Sequence, residues 1–261
     1  MDMLFFVVAF LSSIVGAICG IGGGVVIKPV LDMLQMGAPA TINFLSGCTV
    51  LSMSLYSVSK ALRAGDSKVE MSTGTPLALG AALGGVVGKE LFSAVKNFFN
   101  GSPMVGGVQA IALGIITLGT LLYTINKARI RTYRTTNKLV CVVIGLLLGI
   151  MSSFLGIGGG PINLVVLGFC FGMDTKTAAA NSLYIILFSQ MASLIATLIS
   201  GLPEFRVFAL VLMVAGGIGG GIVGRSLNKK MDNRAVDKLF IGLMVLIVAI
   251  CVYNAVRAFA G

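Results

Sequence analysis

The chain has 261 residues, of which 57% are hydrophobic and 11% charged, with a mean hydropathy of +1.02 and a formal charge of +10. A soluble domain is nearer one quarter charged, so composition excludes one. The positive balance does not indicate a nucleic-acid partner either, because the Lys and Arg residues lie between apolar runs rather than on one continuous basic face.

In chain order, apolar stretches of transmembrane length occupy 3–19, 41–62, 74–95, 105–125, 139–155, 178–200, 206–224 and 239–259. They are continuous and not alternating, so helices are expected rather than barrel strands. The fold class read from them is an all-α polytopic membrane protein. The N-terminus resembles a signal h-region, but Gly22–Gly24 and more apolar sequence follow without a convincing cleavage site, and the segment is expected to be retained.

Two of these runs contain the same interruption. "CGIGGGVVIKP" covers 19–29 and "LGIGGGPINLV" covers 155–165, an offset of 136 residues. The offset holds without a gap along the rest of the chain. Ser46 falls on Ser182, Ser57 on Ser193, Gly65 on Gly201, "GGVVGKEL" (84–91) on "GGIVGRSL" (220–227), and Gly106 on Gly242. The chain therefore reads as two homologous membrane repeats, 1–125 and 139–261, joined by the basic linker 126–138.

Basic loops set the orientation. "NKARIRTYRTTNK" (126–138) and "RSLNKKMDNRAVDK" (225–238) are both cytoplasmic by the positive-inside rule. An even number of crossings must then separate them. Stretch 161–173 is too short to span, so each Gly-Ile-Gly-Gly-Gly is read as the break in a re-entrant or mid-depth hairpin. Each repeat then holds one hairpin plus three transmembrane helices, and the repeats are inverted; a parallel four-plus-four arrangement is the alternative.

Inverted repeats with interrupted helices are the signature of secondary transporters. A glycine triplet ends one helix and starts another, whose N-terminus carries a partial positive charge and orphan N–H donors. Two such ends, Gly22, Gly23 and Gly24 with Gly158, Gly159 and Gly160, can form an anion site without a buried cation. The alternative is that these glycines only allow close packing. Polar faces on the following helices add Asn43, Ser46, Thr49, Ser54 and Ser57 in the first repeat, and Ser182, Ser189, Gln190, Ser193 and Thr197 in the second. Ser46, Asn181 and Ser182 stand first among these as pathway residues, with interhelical hydrogen bonding the competing role.

Lys28 lies inside a membrane segment, four residues before Asp32, and is a substrate-binding candidate with snorkelling or a structural ion pair as alternatives. Asn163 takes the comparable polar role in the second repeat. Histidine is absent, and Cys19, Cys48, Cys141, Cys170 and Cys251 are scattered without a CxxC pair, so neither a metal site nor a cofactor is expected. Without paired intramembrane carboxylates an enzyme is not expected either. "GGGIVGRS" (219–226) looks like a Walker loop but follows no strand. Gly80, Gly84 and Gly88, with Gly216, Gly220 and Gly224, are spaced for helix–helix contact.

The doubled Gly-x-Gly-Gly-Gly, the proline after the first copy (Pro29), and the serine opening the next long helix resemble the sulfite exporter TauE/SafE family over essentially the whole chain. The family's Gly-Thr-Ser corresponds to Ala180-Asn181-Ser182 in the second copy and Phe44-Leu45-Ser46 in the first; only the serine is kept in both. The resemblance implies a secondary carrier of small sulfur-containing anions such as sulfite or a sulfonate. It places the partners as that anion and the lipid bilayer, with a bacterial inner membrane as the location. A passive anion channel of the same architecture is the alternative.

Overall fold

The computed structural model describes residues 2–99, 104–157 and 159–260. Among them are ten α-helices, one short 3-10 turn and no strand. The helices are α1 (Asp2–Cys19), α2 (Gly24–Met33), α3 (Pro39–Arg63), α4 (Met71–Phe98), α5 (Met104–Asn126), α6 (Lys138–Leu155), α7 (Gly160–Phe171), α8 (Thr175–Ser200), α9 (Val207–Lys230) and α10 (Asn233–Ala260). Eight of these are long and apolar enough to cross a membrane; α2 and α7, the helices that follow the glycine runs, are the short ones.

The helix ends follow local chemistry. α1 stops before Gly20 and α6 before Gly156, and both glycines are left-handed, at φ +74° and +66°. A side chain is strained in that conformation, so the break needs glycine at these two equivalent positions. Asn137 caps α6 by accepting from the Leu139 N–H at 2.9 Å, and Asp174 caps α8 by accepting from the Thr177 N–H at 3.0 Å. Lys60 and Arg63 occupy the last turn of α3, where they oppose the negative helix end.

Two long interfaces organise the bundle. α1 lies along α9 in the same direction: Arg206 pairs with Asp2 at 2.9 Å at one end, and Asn228 donates to the Ile18 carbonyl at 2.5 Å at the other. α6 lies along α4 in the same way. In both interfaces glycine lets backbone meet backbone. Gly216, Gly220 and Gly224 face Phe6, Phe10 and Ile14, while Gly80, Gly84 and Gly88 face Val142, Leu146 and Ile150. A shift of 136 converts each contact into its counterpart in the other interface.

Chain direction follows from these contacts. Asp2, Thr41 (whose hydroxyl donates to the Glu204 carbonyl at 2.8 Å) and Arg206 gather at one end. Loop 64–70 gathers with Arg225 and Lys229 at the other. The second end is rich in cations, with Lys60, Arg63, Lys127, Lys176, Lys229 and Lys230 among them. α1 starts at the first end and its equivalent α6 at the cation-rich end, and α3 and α8 are likewise opposed.

Sorting of side chains follows the lipid environment. Leu79, Leu83, Ile115, Leu147, Val211 and Val256 are exposed, whereas Ser46, Ser182, Asn163, Asn181 and Gln190 are buried. An outward apolar surface suits hydrocarbon, and polar side chains turned inward avoid it. The two breaks share one apolar cluster, in which Ile21, Val25 and Ile157 pack with Leu113, Phe240 and Met244 of α5 and α10.

Candidate functional site

The breaks meet between the helices. Gly24 opens α2 against the second break: a Cβ there would sit 2.5 Å from the Ile157 carbonyl oxygen and 2.9 Å from the Ser46 hydroxyl. From the other side, a Cβ on Gly160 would lie 2.9 Å from Ile157 and 3.1 Å from Val25. Gly159, at φ +110°, faces Ile186 of α8 and the amide of Asn163, which a Cβ would approach to 2.7 Å. Gly22 is left-handed within the first break, and Gly23 backs onto Ser13 of α1. Gly158 lies outside the described residues.

Around this junction several polar groups are buried without a hydrogen-bond partner among the described residues. They include the hydroxyls of Ser13 and Ser46 and both amide atoms of Asn163; the hydroxyls of Ser182 and Ser189, on α8, are likewise buried without a partner among the described residues. Ser46 and Ser182 are each 0% exposed. An unpaired polar group in a dry interior costs about 1–3 kcal/mol. A chain that keeps several of them in one region has donors and acceptors ready for a polar occupant.

Other residues singled out by sequence have partners. Thr49 donates to the Leu45 carbonyl at 2.8 Å and turns its methyl toward Gly217 of α9. Ser54 donates to the Val50 carbonyl at 2.8 Å. Asn181 is fully engaged: its amide donates to the carbonyls of Lys68 and Thr177, and its oxygen accepts from the Glu70 N–H at 3.1 Å. It thus ties α8 to loop 64–70. Gln190 donates to the Ser152 hydroxyl at 3.3 Å. Lys28 pairs with Asp32 at 3.1 Å on α2, which packs on α10, where Asn254 donates to the Pro29 carbonyl at 2.9 Å.

Two of the cavities, at opposite ends of the bundle, have corresponding walls. The one at the cation-rich end, about 300 Å³, is lined by Ser57, Asp66, Lys68, Lys176, Arg225 and Lys229. The other, about 140 Å³, is lined by Asn43, Lys89, Ser93, Ser153, Gln190 and Ser193. Their walls correspond at the same offset of 136: Ser57 with Ser193, Lys89 with Arg225, Ser93 with Lys229, and Asn43 with Ala179. The Asp66 pKa is lowered, chiefly by the hydrogen bond from Lys229 and then by that from Arg225.

Ser13 at the first break, and Ser152 and Ser153 near the second, were not singled out by motif reasoning. A signal exists: Ser12-Ser13 and Ser152-Ser153 are serine pairs in otherwise apolar helices, each one to two turns before a break. Among the described residues no cluster of three metal-ligating side chains occurs. Hydroxyls, amides and helix N-termini can replace part of an oxyanion's water shell, but they offer little for acid–base chemistry.

Fold and junction together describe a polytopic helical membrane protein built around broken helices. The sequence profile of the sulfite exporter TauE/SafE family matches residues 5–250, and the chain belongs to that family, as a multi-pass membrane transporter. It is 27% identical over 271 residues to the Probable membrane transporter protein YunE of Bacillus subtilis, an alignment covering 96% of this chain and 97% of that one. It is 24% identical over 206 residues to the Probable membrane transporter protein MJ0441 of Methanocaldococcus jannaschii, covering 75% and 72%. No solved structure matches the chain.

Proposed function

We propose that the chain is a secondary transporter of small sulfur-containing anions, such as sulfite, a sulfonate or a related organic anion, working by alternating access. Two inverted units, 1–125 and 139–261, joined by 126–138, hold the anion at the junction of their breaks. The cation-rich end faces the cytoplasm of a cell whose plasma membrane carries the protein. One observation carries the reading: Ser46 and Ser182 occupy equivalent positions, both are fully buried, and neither hydroxyl has a partner among the described residues. Asn163, beside Gly159, adds an amide of the same kind. Cavities at opposite ends, with corresponding walls, support two access routes to one site. The Lys28–Asp32 pair is close to neutral as a unit, so the glycine N-termini and hydroxyls supply the anion's main contacts.

The test is uptake of labelled sulfite into proteoliposomes, with and without unlabelled anion on the far side, repeated for Ser46→Ala and Ser182→Ala. Saturable uptake with counterflow, lost in both variants, is expected. Conductance without counterflow would indicate a passive channel instead, and no flux of sulfite, thiosulfate or small sulfonates would refute the substrate class.

A further inference from the structure

The cavity at the cation-rich end has four cations on its wall, Lys68, Lys176, Arg225 and Lys229, and one carboxylate, Asp66. Asp66 gives one oxygen to each of two of them. Its Oδ1 accepts from Arg225 at 2.5 Å and its Oδ2 pairs with Lys229 at 2.5 Å. A small oxyanion would present two oxygens to that guanidinium and ammonium in the same manner. Deeper in the same cavity is the Ser57 hydroxyl, 4% exposed and without a hydrogen-bond partner among the described residues. One carboxylate among four cations leaves the cavity positive, and an unpaired buried hydroxyl faces it.

The opposite cavity shows that Asp66 is no requirement of the architecture. Lys89 takes the place of Arg225 there, but Leu202 stands where Asp66 would be, and Lys89 reaches the Ser93 hydroxyl at 3.5 Å. Asp66 also sits on a short, separately anchored loop. Asn181 grips that loop at Lys68 and Glu70, immediately before Ser182.

We propose that the cavity at the cation-rich end is a loading site for a small oxyanion, and that Asp66 is its built-in competitor. The incoming anion takes Arg225, Lys229 and the Ser57 hydroxyl; Asp66 is displaced, and loop 64–70 parts from α9 while Asn181 still holds it. This rests on the transporter reading, but binding here is measurable without flux.

The experiment is hydrogen–deuterium exchange on the full chain in detergent, in sodium sulfite against sodium chloride at matched ionic strength, together with the sulfite dependence of the thermal midpoint. Sulfite should raise exchange in 64–70 in the wild type. Asp66→Asn should half-saturate at a roughly fivefold lower sulfite concentration, which is what one partly exposed ion pair is worth. Asp66→Glu should behave as wild type, and Arg225→Gln should lose the response. Unchanged exchange in 64–70 at saturating sulfite, or no tightening in Asp66→Asn, overturns the proposal. So does a rise that follows added phosphatidylglycerol and not sulfite, which would make the occupant a lipid headgroup. Loop release without sulfite flux in proteoliposomes supports the loading site and refutes sulfite as cargo; flux without loop release does the reverse.

Discussion

Gly24, the first residue of α2, lies directly against Ile157 in the second break, so close that a Cβ would sit 2.5 Å from the Ile157 carbonyl oxygen. The two breaks are therefore seated on each other, with no room for a side chain at Gly24. Gly24→Ala must push the second break aside, at about 1–3 kcal/mol of overpacking. A lower thermal midpoint with reduced flux is expected. Ser46→Ala removes an unpaired hydroxyl from the same spot and should leave the midpoint nearly unchanged while flux falls. Equal loss of stability in the serine variant would make Ser46 a packing residue.

The glycine-lined interfaces should be the most sensitive part of the fold. Gly84 rests on Leu146 and Ile150, and Gly220 on Phe10 and Ile14, with backbone atoms in contact. Gly84→Leu and Gly220→Leu should each abolish folded protein, read by size-exclusion profile in detergent. Gly242→Leu, where an added Cβ would meet nothing within 4 Å among the described residues, should fold normally. A monodisperse Gly220→Leu protein would contradict the close approach of α1 and α9.

Lys28 and Asp32 form an i, i+4 pair with side chains 3% and 16% exposed. Removing only one partner leaves a charge uncompensated in a dry setting, at about 3–5 kcal/mol. Asp32→Leu alone should be strongly destabilised, and Lys28→Met with Asp32→Leu should recover most of the midpoint. Sulfite flux is expected to persist in the double variant. Its complete loss in a stable protein would place the Lys28 ammonium on the anion.

Asp66 has its pKa depressed by Lys229 and Arg225, so its contacts stabilise the fold above the ordinary carboxylate pKa and fade as pH falls through the lower, folded value. The difference in thermal midpoint between wild type and Asp66→Asn should be flat from about pH 7 to pH 5 and shrink only below about pH 4. A difference that vanishes between pH 7 and 5 would mean that another group controls the loop.

The helices were legible because each rests on a local pattern. Apolar runs gave the long spans, and Gly20 and Gly156 marked the breaks through a backbone conformation that other residues adopt poorly. The four-residue glycine spacing on α4 and α9 announced contact faces without naming what they touch. Periodicity also put Thr49 and Ser54 on the polar face with Ser46, yet both spend their hydroxyls on their own helix carbonyls. Asn181 looked like a pathway amide and proves to be engaged at loop 64–70.

The sequence by itself determined that the chain is a helical membrane protein with two matched interruptions, because hydropathy and glycine act over a few residues and need no partner. Tertiary structure alone decided that α1 pairs with α9 and α6 with α4, that Gly24 meets Ile157, and which serines remain without a partner among the described residues. Those outcomes join residues far apart in the chain, such as Gly80 with Val142, Ile18 with Asn228 and Asp66 with Arg225. Hydrogen bonds and close packing at that range depend on where whole helices come to rest, and no local pattern records it.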